Sequence, residues 1–431
     1  MSSSIKRDIS VLLEPGASRW KQQIWYIPTL GLAMGMMMVR PLLMARLLDV
    51  QGFAHYSAGL LVSSTFCMLG CIGLQSLLQR DMPGQLMRNR ELAAAILLMQ
   101  CLMVALICAA LGLVLSSIEL EVAGINRSML AISILHGLAQ QVFLLATVES
   151  RSRGQPLRFS QQQLLRAILV LASGSVAAVS LESAMAVLLV ETVVSLLLSW
   201  KMLAGIWRKQ TVSFSIICCL AVSRLGRIPW RSAVALFAVM IAGFSLLNVD
   251  RWLAASLLSS VVFAQYAFAW VMLMVAQSAQ AIVNTSIFPL LARRFAINGK
   301  LACFRVAART SIILLVMGAI AAWPTLWVID AVIFHWYPDY TSATSLLSYF
   351  IWVAVLRVSD FWSSYLIVVG YEKRLLSVNL LVASLVSAIW LHQVEPWVSG
   401  NLQPINLAVL VILLTAANYG AVFSMAYISR R

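Results

Sequence analysis

Charge is what this sequence lacks most. Asp, Glu, Lys and Arg make up 11% of its 431 residues, against roughly 25% in soluble domains, so most of the chain has little with which to meet water. The shortage is lopsided, with 16 acidic against 31 basic residues and a formal net charge of +15. In a soluble protein such a surplus raises the question of nucleic acid. Here the basic residues are spread between apolar stretches and not gathered in one domain, so no nucleic-acid partner is expected. Also missing are a Walker loop, a nucleophile elbow, a metal-ligand spacing and a pair of catalytic carboxylates. No hydrophilic stretch is long enough to house a catalytic domain, which excludes ATP hydrolysis by this chain. The short outer loops disfavour an embedded glycosyltransferase or ligase. No enzymatic activity, cofactor or metal is therefore expected. Seven cysteines are present, but Cys218 and Cys219 are adjacent and the others fall within apolar runs or basic loops, which reads as free thiols. The first 25 residues contain no short apolar core and no small-residue cleavage site, so no signal peptide is predicted and the first span serves as its own insertion signal.

What the chain has instead is apolar length. Hydrophobic residues make up 61% of it, with a mean hydropathy of +0.89, in runs of about 18 to 25 residues, enough for a helix to cross roughly 30 Å of hydrocarbon. Alternating ten-residue patterns are missing, so the spans are helices and not barrel strands. They are predicted at 26–48, 56–78, 92–115, 129–148, 165–181 and 184–203, and again at 233–248, 260–289, 310–332, 345–369, 375–391 and 407–428. With both termini in the cytoplasm, this count leaves most basic residues on the cytoplasmic side and Arg127 in an outer loop, as the positive-inside rule requires. Tryptophans such as Trp323, Trp327 and Trp336 fall near span ends, the place of an interfacial belt.

The two sets of spans echo one another. Phe53-Ala54-His55-Tyr56 returns as Phe263-Ala264-Gln265-Tyr266 at an offset of 210, and Gly154 aligns with Gly370 at an offset of 216, bringing Arg158 onto Arg374. Six spans plus six, each half even in number, insert in the same orientation, a parallel repeat about an axis along the membrane normal. The fold class is thus an all-α polytopic membrane protein of about twelve helices in two pseudo-symmetric six-helix bundles. Its parts are a cytoplasmic segment 1–25, a first bundle 26–207, a linker 208–231 and a second bundle 232–431. The linker sets apolar Ile216, Ile217, Leu220 and Val222 in one stretch with basic Arg224, Arg227 and Arg231, which reads as an interfacial amphipathic helix.

Three short segments carry a resemblance. Ala45-Arg46-Leu47-Leu48-Asp49 with Gly52-Phe53 and Tyr56 is similar to the A-R-x-L-G-P-x-x-[FY]-G-x-Y segment of the multidrug/oligosaccharidyl-lipid/polysaccharide (MOP) exporter superfamily, and of its bacterial flippases for lipid-linked O-antigen and related polysaccharide units. Asn248-Val249-Asp250-Arg251-Trp252-Leu253 resembles its N-x-D-R-x-x-[IL] segment, and Gly370-Tyr371-Glu372-Lys373-Arg374 its cytoplasmic G-[RK] turn. Asp49-Val50 stands where the family has Gly-Pro. The resemblance implies two bundles around a central cavity, working by alternating access in a bacterial inner membrane. It implies as partners a polyprenyl-pyrophosphate-linked oligosaccharide, membrane lipids and a polysaccharide polymerase complex. A cation-coupled drug exporter of the same superfamily, or a non-transporting subunit of a polysaccharide synthase, are the alternatives.

Charges inside spans are costly, about 2.5–3.5 kcal/mol each on insertion scales, and call for a partner or a wet cavity. Arg357 and Asp360 sit three residues apart in the tenth span, either as a self-neutralising pair or with Arg357 on the substrate pyrophosphate and Asp360 tuning it or carrying a coupling proton. Arg40, just before Pro41 and deep in the first span, is read as cavity-facing and anion-binding. Glu191 has no charged neighbour in sequence and is either a proton-coupling carboxyl or a neutral hydrogen-bonded one. Asp250 and Arg251 form a local pair or a gating element, and Arg46 reaches toward headgroups or takes part in gating. His136, Gln140 and Gln141 make a polar stripe on the fourth span, Gln141 being the counterpart of Arg357. Asn248, Gln277, Gln280 and Asn284 add others. These polar side chains either bind sugar or bridge helices.

Overall fold

The computed structural model describes residues 17–117, 124–394 and 403–430. The acidic loop at Glu119 and Glu121, the residues before 17, and Glu395 lie outside them.

Helices account for nearly everything described. The first half comprises α1 (Ala17–Leu47), α2 (Val50–Leu69), α3 (Leu74–Met87), α4 (Glu91–Ser116), α5 (Arg127–Ser152), α6 (Pro156–Leu181) and α7 (Ala184–Trp207). A short α8 (Phe214–Ser223) follows, and the second half comprises α9 (Trp230–Leu257), α10 (Ser260–Trp336), α11 (Thr344–Val358), α12 (Trp362–Val369), α13 (Glu372–Val394) and α14 (Pro404–Ser429). The 77-residue α10 is two helical limbs parted at Gly299, whose φ of 77° breaks the helix. Among the described residues eight helices are long and apolar enough to cross a membrane, or ten with each bent pair taken as one crossing. The first limb of α10 and α13 occupy the two remaining predicted positions, so the chain follows the sixfold-plus-sixfold plan.

Local chemistry sets the helix ends. Asp49 accepts the Gly52 N–H at 2.9 Å and caps α2, so the outer turn expected over 49–55 shrinks and His55 lies within the helix. Pro156 opens α6 in its first turn, where its missing N–H costs nothing. That start lies well before the predicted 165, which matters for Arg166 below. Three predicted spans prove to be bent or broken, one of them within α9, where Trp230–Ser245 and Leu247–Leu257 meet at 59°. α2 and α3 meet at 51° across Gly70–Gly73, with Ile72 and Gly73 both at positive φ. The tenth span stops at Val358 and restarts at Trp362, its freed backbone held in part by the Ser311 Oγ, which accepts the Phe361 N–H at 3.3 Å.

Within the first half α1 packs on α6, α5 on α7 and α2, and α6 on α7. Within the second, α10 packs on α11 and α11 on α14. The halves meet where α1, α2 and α3 touch α9 and α10. Phe53 stands edge-on to Tyr340 at 5.6 Å, and Tyr340 stacks on Phe268 at 4.6 Å. Trp252 donates to Thr65 Oγ1 at 3.3 Å. Gly73 is the tightest point of the seam, since a Cβ there would lie 2.0 Å from the Ala233 carbonyl oxygen. The helix break therefore lets the two backbones touch. In the 208–231 segment, Ile217 and Ala221 of α8 are buried against Ile96 and Met99 of α4, while Arg224 and Arg227 are exposed. On the outside of the helices large apolar side chains face outward, among them Trp323, Trp327 and Ile320, the surface a lipid solvent requires.

Candidate functional site

The predicted residues gather into two clusters, one in each half. In the first, α1 carries Arg40, α2 Tyr56 and Ser63, α5 His136, and α7 Glu191. Arg40 is 3% exposed and Glu191 fully buried. The Arg40 Nε–H is shared between Tyr56 Oη and Glu191 Oε1, each at 2.7 Å, and its Nη2 donates to Glu191 Oε2 in a two-point contact. Tyr56 also donates to Glu191 Oε1 at 3.3 Å. His136 Nε2 lies 3.6 Å from Glu191 Oε2, while its Nδ1 is 2.8 Å from Ser63 Oγ. Glu191, isolated in sequence, is thus the counter-charge of Arg40. Small residues make room for this, because α6 brings Gly174 so close that a Cβ would fall 2.8 Å from Glu191 Oε1.

Arg166 on α6 belongs to the same cluster. It is 7% exposed, stacks over Phe143 at 4.7 Å, and lies within electrostatic reach of Arg40 and Glu191. Among the described residues no acceptor meets its Nε or Nη2. The predicted span start at 165 would place it at a membrane edge. The helix start at Pro156 moves it a full ten residues inside, and that proline was the signal that could have found it. Gln141 is likewise buried, and among the described residues neither of its amide atoms has a partner.

The second cluster answers the first with reversed charge. Asp250 on α9 accepts from Tyr266 Oη on α10 at 2.7 Å. At the 210-residue offset Tyr56 becomes Tyr266 and Arg40 becomes Asp250, so one scaffold contact between equivalent helices holds a cation in one half and an anion in the other. A phenol can do both, because its oxygen accepts and its hydrogen donates. Arg251 lies over the Trp270 ring at 4.0 Å and donates to Asn248 Oδ1 at 3.3 Å. Arg357 lies within electrostatic reach of Asp250.

One expectation is corrected. Arg357 and Asp360 do not share a helical face as an ion pair, because the helix breaks between them and Asp360 takes a capping role. Its Oδ1 accepts the Ser363 N–H at 3.2 Å and its Oδ2 the Ser363 hydroxyl at 2.7 Å. Among the described residues no acceptor meets the buried Arg357 Nη1. Both side chains line a cavity of about 340 Å³ with Gln280, Thr415, Asn418 and Tyr419. Arg46 joins neither cluster and is exposed at the end of α1. The side chains of Gln277 and Asn284 lie outside the described set. Among the described residues no group of His, Cys, Asp or Glu is placed to hold a metal ion.

A separate network ties the ends of α4, α5 and α7. Glu149, buried at the end of α5, accepts from Arg153 Nε at 2.5 Å and Lys209 Nζ at 3.3 Å, and Arg153 also grips Glu91 at 2.6 and 2.9 Å. The Glu91 hydrogen bonds, above all, hold the Arg153 guanidinium further toward its charged form.

No protein-family model and no curated protein matches the sequence. Solved structures do. The lipid II flippase MurJ in an inward closed conformation superposes with a TM-score of 0.65 at 9% identity, covering 93% of this chain and 87% of that one. A MOP superfamily transporter from Pyrococcus furiosus gives 0.60 at 12% identity, and a eukaryotic MATE transporter 0.59 at 12%, each covering 95% of both chains. Helix order, half-chain repeat and these superpositions agree, and the chain has the fold of the MOP superfamily transporters.

Proposed function

We propose that this protein is a flippase that carries an oligosaccharide linked to a polyprenyl pyrophosphate across a bacterial inner membrane, for the assembly of a surface polysaccharide such as O-antigen, capsule or exopolysaccharide. The observation that carries the proposal is a surplus of guanidinium inside the bundles. Among the described residues Arg40, Arg166, Arg251 and Arg357 stand against Glu191, Asp250 and Asp360, and buried N–H groups of Arg166, Arg251 and Arg357 have no acceptor there. An unpaired guanidinium in low dielectric is costly, and at Arg166 in the first-half cluster a diphosphate is the kind of ligand that offsets the cost, through bidentate, charge-assisted hydrogen bonds. Arg40 is the second anion-binding group. Glu191 occupies it here, so substrate phosphate and Glu191 compete for the same guanidinium, and a proton on Glu191 would release Arg40. That competition gives Glu191 its coupling role. Asp250 and Arg251, on the helix whose Trp252 reaches across the seam to Thr65, serve the rocking motion by which transporters built of repeats alternate access. The sugars cross in water between the bundles while the polyprenyl tail stays in lipid.

Reconstitution into liposomes with a fluorescent polyprenyl-pyrophosphate-linked oligosaccharide tests this. Protein-dependent transfer between leaflets, lost in Arg40→Ala and Arg357→Ala, is expected. No transfer, with polysaccharide display intact in cells carrying those variants, would refute it. A multidrug exporter is the second reading, favoured by the MATE transporters among the similar structures. It expects dye efflux from cells and indifference to these arginines.

A further inference from the structure

The cavity at the break of the tenth span is lined by Gln280 of α10, Arg357 and Asp360 at the α11–α12 junction, and Thr415, Asn418 and Tyr419 of α14. Irregular backbone at membrane depth is tolerated where it is buried in protein or borders a polar cavity, and broken helices of transporters commonly frame their binding sites. Here the break leaves two orphans on the lining side chains. Among the described residues Arg357 Nη1 is a buried donor with no acceptor, and Asn418 Oδ1 a buried acceptor with no donor. Beside them Asp360 has both oxygens engaged by Ser363 but keeps spare lone pairs, since a carboxylate offers about four acceptor sites. Gln280 is fixed across the opening by a 3.4 Å hydrogen bond from Nε2 to the Asp360 carbonyl.

This lining selects among ligands by sign. A diphosphate reaching Arg357 would be driven against Asp360, and a cation reaching Asp360 would be driven against Arg357. A hydroxyl group suits both, because it donates to a carboxylate or amide oxygen and accepts from a guanidinium. Several hydroxyls on one small ring would meet the unpaired donor, the unpaired acceptor and the hydroxyls of Thr415 and Tyr419 together. The volume of about 340 Å³ lies at the small end of the 300–1,000 Å³ range of ligand pockets, too small for a lipid-linked oligosaccharide and of a size for one sugar unit. We infer that the cavity framed by Arg357, Asp360, Gln280 and Asn418 is a sugar subsite, binding a neutral polyhydroxyl ring, and that the charged headgroup of the substrate belongs to the first-half cluster. The inference rests on the flippase reading and divides the substrate between the two halves.

Purified full-length protein in lipid nanodiscs tests it by saturation-transfer NMR with glucose, galactose, rhamnose and N-acetylglucosamine, and with inorganic pyrophosphate as the charged control. At least one neutral sugar should bind, and Asn418→Leu, Asp360→Asn and Arg357→Gln should each weaken it about tenfold or more, the effect of leaving buried polar groups unpaired. Pyrophosphate binding should survive these changes and be lost in Arg166→Gln. Thermal unfolding of each variant separates lost binding from lost folding, and Thr415→Val gives a milder probe of the same wall. Failure of every sugar to bind, sugar binding indifferent to all four substitutions, or pyrophosphate binding abolished by Arg357→Gln would each overturn the subsite. Sugar binding by a protein that moves no lipid-linked oligosaccharide would refute the flippase and leave the subsite standing. Translocation without sugar binding would do the reverse.

Discussion

Replacing Glu191 separates an ion pair that neutralises a bundle from one that merely decorates it. Glu191→Gln keeps the shape and the Oε1 acceptor for Arg40 Nε at 2.7 Å and Tyr56 at 3.3 Å, but turns an amide N–H₂ toward Arg40 Nη2. Two buried guanidinium groups, Arg40 and Arg166, are then left without a counter-charge in a cluster that is closed to solvent. Removing one member of a buried pair costs about 3–5 kcal/mol, whereas replacing both members with apolar residues of similar volume is often neutral. Over a cooperative unit of 150–250 residues each kcal/mol moves Tm by about 2–4 °C, so the single change should lower it by roughly 6 to 20 °C. The double variant Arg40→Met/Glu191→Leu should recover most of that loss. Tryptophan fluorescence during heating in detergent reads it directly, since the chain has 14 tryptophans. Equal destabilisation by the single and double variants, or a single-variant loss below about 1 kcal/mol, would refute a buried, mutually dependent pair.

Other outcomes follow from the same geometry. Tyr266→Phe strips Asp250 of its 2.7 Å donor and should cost about 1–3 kcal/mol, while Tyr56→Phe should cost less because Arg40 keeps Glu191; unfolding of the two variants compares them. Gly174→Val should drive a side chain into Glu191 Oε1, already 2.8 Å from a Cβ at that position, and reproduce the Glu191→Gln loss in the same melt. Gly73→Ala combines a positive φ with a clash on the Ala233 carbonyl, so it should exceed the usual 0.4–1 kcal/mol scale of backbone effects and impair transport, which a liposome transfer assay would register. At the α5 end, Glu149→Gln should cost about 1–3 kcal/mol because its side chain is 2% exposed. Glu91→Gln, at 43% exposure, should cost about 0.2–1 kcal/mol.

Span positions, the half-chain repeat and the superfamily fold were legible because they rest on apolar length and on a recurring Phe-Ala-x-Tyr, which survive in any register. Pairing was harder to see. Arg40 and Glu191 lie 151 residues apart, and nothing local in either span marks the other. The correspondence of Arg40 with Asp250 was available by arithmetic but hidden by chemistry, since opposite charges do not look like a repeat until the tyrosine between them is seen to serve both. Breaks in apolar segments were also missed, because Gly70–Gly73 and Ser359–Phe361 sit inside runs whose hydropathy stays high. That is why Arg357 and Asp360 read as one helical face. Arg166 was overlooked for the opposite reason: polar residues after Pro156 disguised the first turns of a helix as a loop.

The most direct measurement is flux of two probes through the same proteoliposomes, one a fluorescent diphosphate-linked lipid oligosaccharide and the other a cationic dye. Bundles with a guanidinium surplus should move the first and not the second, and Arg166→Gln should slow the first. Dye movement without lipid transfer, or lipid transfer untouched by loss of Arg40, Arg166 and Arg357, would contradict an anion-selective route through this fold.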